Sequence, residues 1–330
     1  MQIFFELFLK ILPLYLIIYF GYIAGKKLEV KRESISPLLL YIIFPVVCFK
    51  GIITMKISLT TLSYPIYFFL VGTLMAGIFY FIGKFYYHDK ETATLLSLAS
   101  SSANVGYYGL PVALIILGDK VLGTVILLTI GLSFYESTIG FFIAARGKHT
   151  LQEALTKTFQ LPTIYIAIIS LLLNYLNQKF NFLAPNAENP IFTQLVFILV
   201  IAFSGIIDKV LGAYTFLGNL IVGLGFADSH RDKTDYSFTA LTFIAQFIVY
   251  PGIALLFIYL DTNYFHFYDA VAHKVMLVMS LVPTGANTIV LATQMKLKIH
   301  TAAVTVLAST VFALFYIPLF INIFWSKIPF

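Results

Sequence analysis

The sequence predicts an all-α transmembrane fold of about ten helices arranged as two inverted five-helix repeats, and three observations predict it. First, 60% of the residues are hydrophobic and only 11% charged, with a mean hydropathy of +0.92. A soluble domain carries about 25% charged residues, so this inventory cannot cover a water-facing surface. Second, the apolar runs are about 20 residues long, the length of a helix that crosses a hydrocarbon core. They lack the strict alternation of barrel strands, and a bilayer admits only helices or closed barrels. Third, two of the runs are interrupted at mid-span by Pro and Gly.

Taken in order, the expected spans are 3–25, 34–54, 62–83, 92–118, 121–145, 161–177, 210–228, 237–260, 271–295 and 301–325. The first carries Glu6 and Lys10 early and has no small-x-small cleavage site, so it reads as a helix and not as a leader. The side of each connection follows from charge. With the N-terminus outside, the inner connections hold Lys26, Lys27, Lys31, Arg32, Lys84, Lys90, Arg146, Lys148, Lys157, Arg231, Lys233, Lys296 and Lys298, thirteen of the 21 Lys and Arg. An excess of Lys and Arg in short loops marks the cytoplasmic side, which places both termini outside, in a plasma (cell inner) membrane. The arrangement needs an even number of crossings between Lys157 and Arg231. The apolar stretch 190–208 is therefore expected to lie at the interface or extend a neighbouring helix, without a full crossing of its own.

The longest polar stretch inside the chain, about 146–160, divides five spans from five. An odd number per half requires any repeat to be inverted across the membrane, a recurrent plan in transporters. The expected division is 1–148 and 161–330 as the two repeats, joined by a cytoplasmic loop at 149–160. Weak internal similarity agrees: Leu12-Pro13 and Leu161-Pro162 are read as opening the first and sixth spans, and Ala103-Asn104 in the fourth is echoed by Ala286-Asn287 in the ninth.

The fourth span runs Ser100-Ser101-Ser102-Ala103-Asn104-Val105-Gly106-Tyr107-Tyr108-Gly109-Leu110-Pro111, and the ninth contains Pro283-Thr284-Gly285-Ala286-Asn287-Thr288. Gly costs about 1 and Pro about 3 kcal/mol relative to Ala in a helix interior, so both helices should break. Breaks in hydrocarbon are tolerable only inside protein or along a wet cavity, and paired breaks in two halves point to a transporter's binding site. A half-helix N-terminus offers free N–H groups and about half a positive charge, which suits an anion. The substrate-binding candidates are Asn104, Gly106, Gly109, Pro111, Pro283, Gly285, Asn287 and Thr288. The plainer reading is that these are proline kinks with polar side chains bonding neighbouring helices.

Glu136 is a carboxylate deep in a span, where a charge costs about 2.5–3.5 kcal/mol on insertion scales. It is the candidate for carrying H⁺ or ligating Na⁺; the plainer reading is a protonated Glu hydrogen-bonded within the bundle. Ser309 and Thr310 are further coupling-ion candidates. Gln246 and Pro251 read as a kink with its local hydrogen bond, and Trp325 with Tyr86-Tyr87 as interfacial anchors. No nucleic-acid partner is expected, because the basic residues sit in short loops and form no binding face. The single cysteine, Cys48, allows no intramolecular disulfide. The six histidines lack metal-ligand spacing, so no metal and no bound cofactor is expected beyond a coupling H⁺ or Na⁺. No catalytic pair or triad is visible, and the expectation is no enzyme. The expected partners are a small organic solute and the lipid bilayer.

Several of these motifs together resemble the auxin efflux carrier family, which includes plant PIN carriers and bacterial malate- or malonate-type permeases. They are Leu12-Pro13 with Gly21-Tyr22, Pro45, Asn104-x-Gly106-x-x-Gly109-Leu110-Pro111, Pro283-x-Gly285-Ala286-Asn287, and Ala308-Ser309-Thr310 with Pro318-Leu319. The resemblance implies a sodium/proton antiporter-like and bile-acid symporter-like architecture in which the fourth and ninth helices cross at their broken centres. It further implies elevator transport of a small organic anion, commonly a carboxylate, with Asn104, Pro111 and Asn287 at crossover positions, and it is compatible with a homodimer. Two departures stand out: Asn287-Thr288 lacks the proline of the plant carriers, so auxin is not implied, and Glu136 stands where an uncharged polar residue is expected. The alternatives are a Na⁺/H⁺ antiporter-like exchanger centred on Glu136 and a membrane sensor.

Overall fold

The structure is a computed structural model that describes residues 2–145, 152, 155, 156, 159–180, 191–227 and 235–328. Most of the expected loop 149–160 lies outside the described residues, as do Arg146, Lys148, Lys157, Arg231 and Lys233 of the charge pattern.

In chain order the helices are α1 (Gln2–Leu28), α2 (Arg32–Ile53), α3 (Leu59–Tyr87), α4 (Lys90–Ser101), α5 (Val105–Leu117), α6 (Asp119–Ala144), α7 (Pro162–Phe180), α8 (Ile191–Ala227), α9 (Tyr236–Phe265), α10 (Ala270–Ser280), α11 (Asn287–Gln294) and α12 (Ile299–Phe324). Among the described residues there is no named strand, and seven stretches are long and apolar enough to cross a membrane: α1, α2, α3, α6, residues Lys209–Ala227 of α8, α9 and α12 with its extension to Lys327. The expected fourth and ninth spans are each two shorter pieces, α4 with α5 and α10 with α11. From 191 onward the stretch expected at 190–208 runs unbroken into the next span: α8 is one helix of 37 residues, about 55 Å at 1.5 Å per residue. Leu12-Pro13, expected to open the first span, instead lies inside α1, whereas Pro162 does open α7. The two Leu-Pro pairs therefore do not sit at equivalent places.

Helix starts follow local chemistry. Ser58 and Thr61 form a reciprocal cap on α3, the Thr61 N–H donating to Ser58 Oγ at 3.2 Å and the Ser58 N–H to Thr61 Oγ1 at 2.9 Å. Asp89, Asp235 and Asp269 accept backbone N–H groups at the starts of α4, α9 and α10. Three prolines act inside the spans. Pro45, Pro111 and Pro251 each follow a widened π turn, at Leu39–Ile43, Val105–Gly109 and Ala245–Val249. A proline has no N–H and its ring collides with the carbonyl four residues back, and the wider turn moves that carbonyl aside.

In α1 the buried residues Leu7, Ile11, Leu14, Ile18 and Gly21 recur at spacings of three and four, while Phe5, Leu9, Leu16 and Phe20 on the other side are more than half exposed. So much exposed apolar surface would be an aggregation liability in water and is the lipid face in a bilayer. The buried stripe meets α8 through glycines: a Cβ on Gly223 would lie 1.9 Å from the Ile18 carbonyl, and one on Gly21 would lie 2.2 Å from the Leu220 carbonyl. Small residues let the two backbones touch, a common device between membrane helices.

The loops sort into two ends. Lys298 Nζ lies 3.5 Å from Asp89 Oδ2 and donates to Thr92 Oγ1, joining the loop before α4 to the loop after α11. At the other end, Ser63 Oγ and the Tyr268 hydroxyl are 2.6 Å apart, joining α3 to the loop before α10. There, too, buried Asp261 accepts from the Phe267 and Tyr268 N–H groups and pairs with His273 Nε2 at 2.9 Å.

Candidate functional site

The site begins where α4 and α10 stop. Ser102–Asn104 and Leu281–Ala286 are not helical, and they pair with each other as a short antiparallel bridge at Ala103 and Thr284. The Asn104 N–H donates to the Pro283 carbonyl at 2.8 Å, and the Gly285 N–H donates to the Ser102 carbonyl at 2.6 Å. The two interrupted helices thus satisfy one another's freed backbone groups. Burial requires this, since an unpaired peptide group in an apolar interior costs several kcal/mol.

Neighbouring side chains meet the remaining needs. The Thr284 N–H donates to Ser309 Oγ at 3.2 Å, and buried Gln246 donates through Nε2 to the Val282 carbonyl at 2.9 Å. Gln246 therefore does not serve the α9 kink, as its position beside Pro251 suggests; it serves the break after α10. Gly285 is required by close approach, because a Cβ there would lie 2.8 Å from Ser102 Oγ and 3.1 Å from the Ser102 carbonyl.

Glu136 lies in a π turn of α6, Glu136–Gly140, the kind of local widening often found at functional sites. Its carboxylate reaches both broken helices: Ser102 Oγ donates to Oε1, and Asn287 Nδ2 donates to Oε2 at 2.6 Å. Half-buried Glu136 and accessible Asn287 form part of the wall of two adjoining cavities. The inner one, about 60 Å³, is lined by Asn104, Gly106, Tyr107, Thr129, Tyr214 and Gly285 among others. That volume takes a few waters or a small ion. The outer one, about 460 Å³, is lined also by Ser137, Gln160, Thr163 and Gln294. Val105 and Asn287, the first residues of α5 and α11, both border the inner cavity, so two half-helix N-termini converge on it.

Of the residues singled out by sequence, Asn104, Gly106, Gly285, Asn287 and Glu136 come together on the inner cavity. Asn104 Nδ2 is buried there without a partner. Gly109 donates to the Asn104 carbonyl at 2.8 Å and packs on Met279. Pro111, Pro283 and Thr288 are buried in the crossover and are not among the lining residues. Ser309 supports the break from behind. Thr310 is remote, bonding Val306 through Oγ1 at 2.7 Å and accepting the Tyr15 hydroxyl on its carbonyl at 2.6 Å. Sequence reasoning missed Ser102 as the second partner of Glu136, although it stands in the quoted motif. It also missed Tyr214, whose hydroxyl lies 3.0 Å from where a Gly106 Cβ would be and whose ring stacks on Phe44 at 5.3 Å. No motif marks a tyrosine in a long apolar helix.

Comparison with known proteins bears on the whole chain. The family model that matches is that of the Sodium Bile acid symporter family, over residues 220–329. An uncharacterised transporter of Methanocaldococcus jannaschii is 25% identical over 326 residues, which is 95% of this chain and 96% of that protein. These matches correct the resemblance to the auxin efflux carriers: the family match is to the sodium bile acid symporters instead. The reason is physical. Pro, Gly and Asn at two helix breaks are what crossed, interrupted helices demand of any sequence, so the motifs mark the crossing and not the family. The matching family is a transporter family and not an enzyme family, and the archaeal relative is named as a transporter. The chain is an integral membrane protein similar to transporters.

Proposed function

We propose that the chain is a secondary active transporter of a small organic anion, a carboxylate, working by elevator-type alternating access and coupled to H⁺ or Na⁺ through Glu136. The observation that carries this reading is the pairing of two broken helices beside a small cavity that Glu136 and Asn287 both line. The N-termini of α5 and α11 and the Asn104 amide favour an anion. The Glu136 carboxylate opposes one until a cation neutralises it, so cation and anion binding reinforce each other. The name of the matching family, sodium bile acid symporters, supports a coupled pair of that kind. In this reading the repeats are 1–148 and 161–330, inverted about the crossing. The larger cavity is lined as far as Gln294, two residues before Lys296 on the end taken as cytoplasmic.

The test is flux in proteoliposomes across a panel of carboxylates with imposed pH or Na⁺ gradients. Asn287→Ala is expected to reduce carboxylate flux on the order of 10- to 100-fold, the worth of a hydrogen bond to a charged group. Glu136→Gln is expected to leave a flux that no longer responds to the cation gradient. Flux unchanged by both substitutions removes the site assignment. A second reading, cation exchange alone, rests on the Ser102–Glu136–Asn287 contact. It is favoured if Glu136→Gln abolishes Na⁺/H⁺ exchange while no carboxylate moves.

A further inference from the structure

Arg32 opens α2 and counts, by sequence, as one more basic residue of an inner loop. Its environment in the fold is of a different kind. The residue is only 7% exposed, and its Nη1 is buried without a hydrogen-bond partner among the described residues. Among the described residues its acidic neighbour is Glu33, 71% exposed, with Oε1 3.9 Å from Nη2, too long and too wet to count as compensation. A guanidinium cannot shed its proton to escape burial, and an unpaired buried charge is strongly unfavourable.

Its neighbours lie on helices that also carry residues of the site. A Cβ added to Gly225 of α8 would lie 3.5 Å from Arg32 Nη1 and 3.5 Å from Ile289 Cδ1. Ile289 is two residues beyond Asn287 on α11. On α8, Asn219 donates to the Tyr107 carbonyl at 3.0 Å, and Gly225 is six residues further on, about 9 Å along the helix. The Tyr107 side chain, which lines the inner cavity, lies within electrostatic reach of both Glu136 and Arg32.

We infer that Arg32 receives the carboxylate of the transported anion, on the side of the crossing between α8 and α11, as the opposite pole to Glu136. The planar fork of Arg matches a carboxylate in two parallel hydrogen bonds, and the missing partner of the buried charge is then the substrate itself. This rests on the reading of the chain as an anion transporter. The rival source of the same chemistry is a carboxylate of the chain, Asp228, three residues after Gly225 in sequence.

The test uses the purified full-length chain in detergent, followed by thermal unfolding in acetate, succinate and benzoate against chloride at matched ionic strength. A ligand raises the unfolding temperature by mass action, so the half-effect concentration reports affinity. Wild type is expected to be stabilised by at least one of these anions. Arg32→Met is expected to raise the half-effect concentration on the order of 10- to 100-fold, with Arg32→Lys between and Asp228→Asn unchanged. Without carboxylate, Arg32→Met should unfold at or above the wild-type temperature, since an uncompensated buried charge has gone. Equal stabilisation of Arg32→Met and wild type overturns the inference and leaves the transport reading standing. So does an anion-free loss in Arg32→Met that Asp228→Asn reproduces and the double variant does not deepen, which is the mark of an internal ion pair. If no carboxylate stabilises the wild type, the inference falls together with the anion half of the proposed function, leaving cation exchange at Glu136.

Discussion

At the scale of single residues, position in the fold decides what a charge is worth. Glu136, Arg32 and Asp89 are all ionisable, yet only Asp89 sits at a wet helix end where ordinary capping applies. Burial by itself raises a carboxyl's pKa, but the Thr92 hydroxyl, the Thr92 and Glu91 N–H groups and Lys298 together hold Asp89 below the usual carboxylate range. A pKa depressed by folding stabilises the folded state above the unfolded value, about 3.9, and that contribution is lost as pH falls through the lower, folded value. Asp89→Ala should therefore cost about 1 kcal/mol at pH 7, as loss of an N-cap does. The gap between variant and wild type should close as pH falls below about 4, which thermal unfolding across pH 3–7 will read. A gap that persists unchanged at pH 3 would show that the ionised cap is not what holds the start of α4.

At the scale of elements, the crossing is held by few contacts and tolerates little added volume. Ser102 joins the second break directly, its carbonyl accepting the Gly285 N–H, and again through Glu136, to which its hydroxyl and Asn287 both donate. A methyl at Gly285 would displace that hydroxyl. Gly285→Ala is expected to cost about 1–3 kcal/mol, the range for overpacking a tight interior, and to lower flux beyond what the stability loss explains. Unfolding temperature and proteoliposome flux measured on the same preparation separate the two effects; wild-type values for both would mean that the close approach at Gly285 is not required. The presence and place of the two breaks were legible from Pro and Gly at mid-span. Their mutual pairing was not, because residues about 180 positions apart carry no local signal of contact. For the same reason Gln246 reads locally as a kink residue and acts at a distance.

At the scale of the whole molecule, the charge pattern assigns sides that contacts between loops sort into two ends. Orientation follows from a direct experiment. Cys48 is the sole cysteine of the sequence and is buried, so single exposed cysteines can be added without removing it. Lys56→Cys is expected to react with a membrane-impermeant maleimide in intact cells, and Lys298→Cys only after permeabilisation. The reverse pattern would turn the molecule over and make the larger cavity face outward.

Composition and run length by themselves determined that this chain lives in a bilayer as helices, because the hydrophobic effect and the need to satisfy backbone groups depend on residue content and not on contacts. Mid-span Pro and Gly likewise determined where helices must break, since those residues oppose helix wherever they fall. Tertiary structure alone decided what the breaks pack against. It brought Ser102, Glu136 and Asn287 together from three segments, set Tyr214 over Gly106, and buried Arg32 beside Gly225 with no hydrogen-bond partner for its Nη1 among the described residues. Contacts of that kind depend on how distant helices pack, and no local pattern encodes them. That is also why the crossover motifs, read alone, pointed to the wrong family while marking where the helices break.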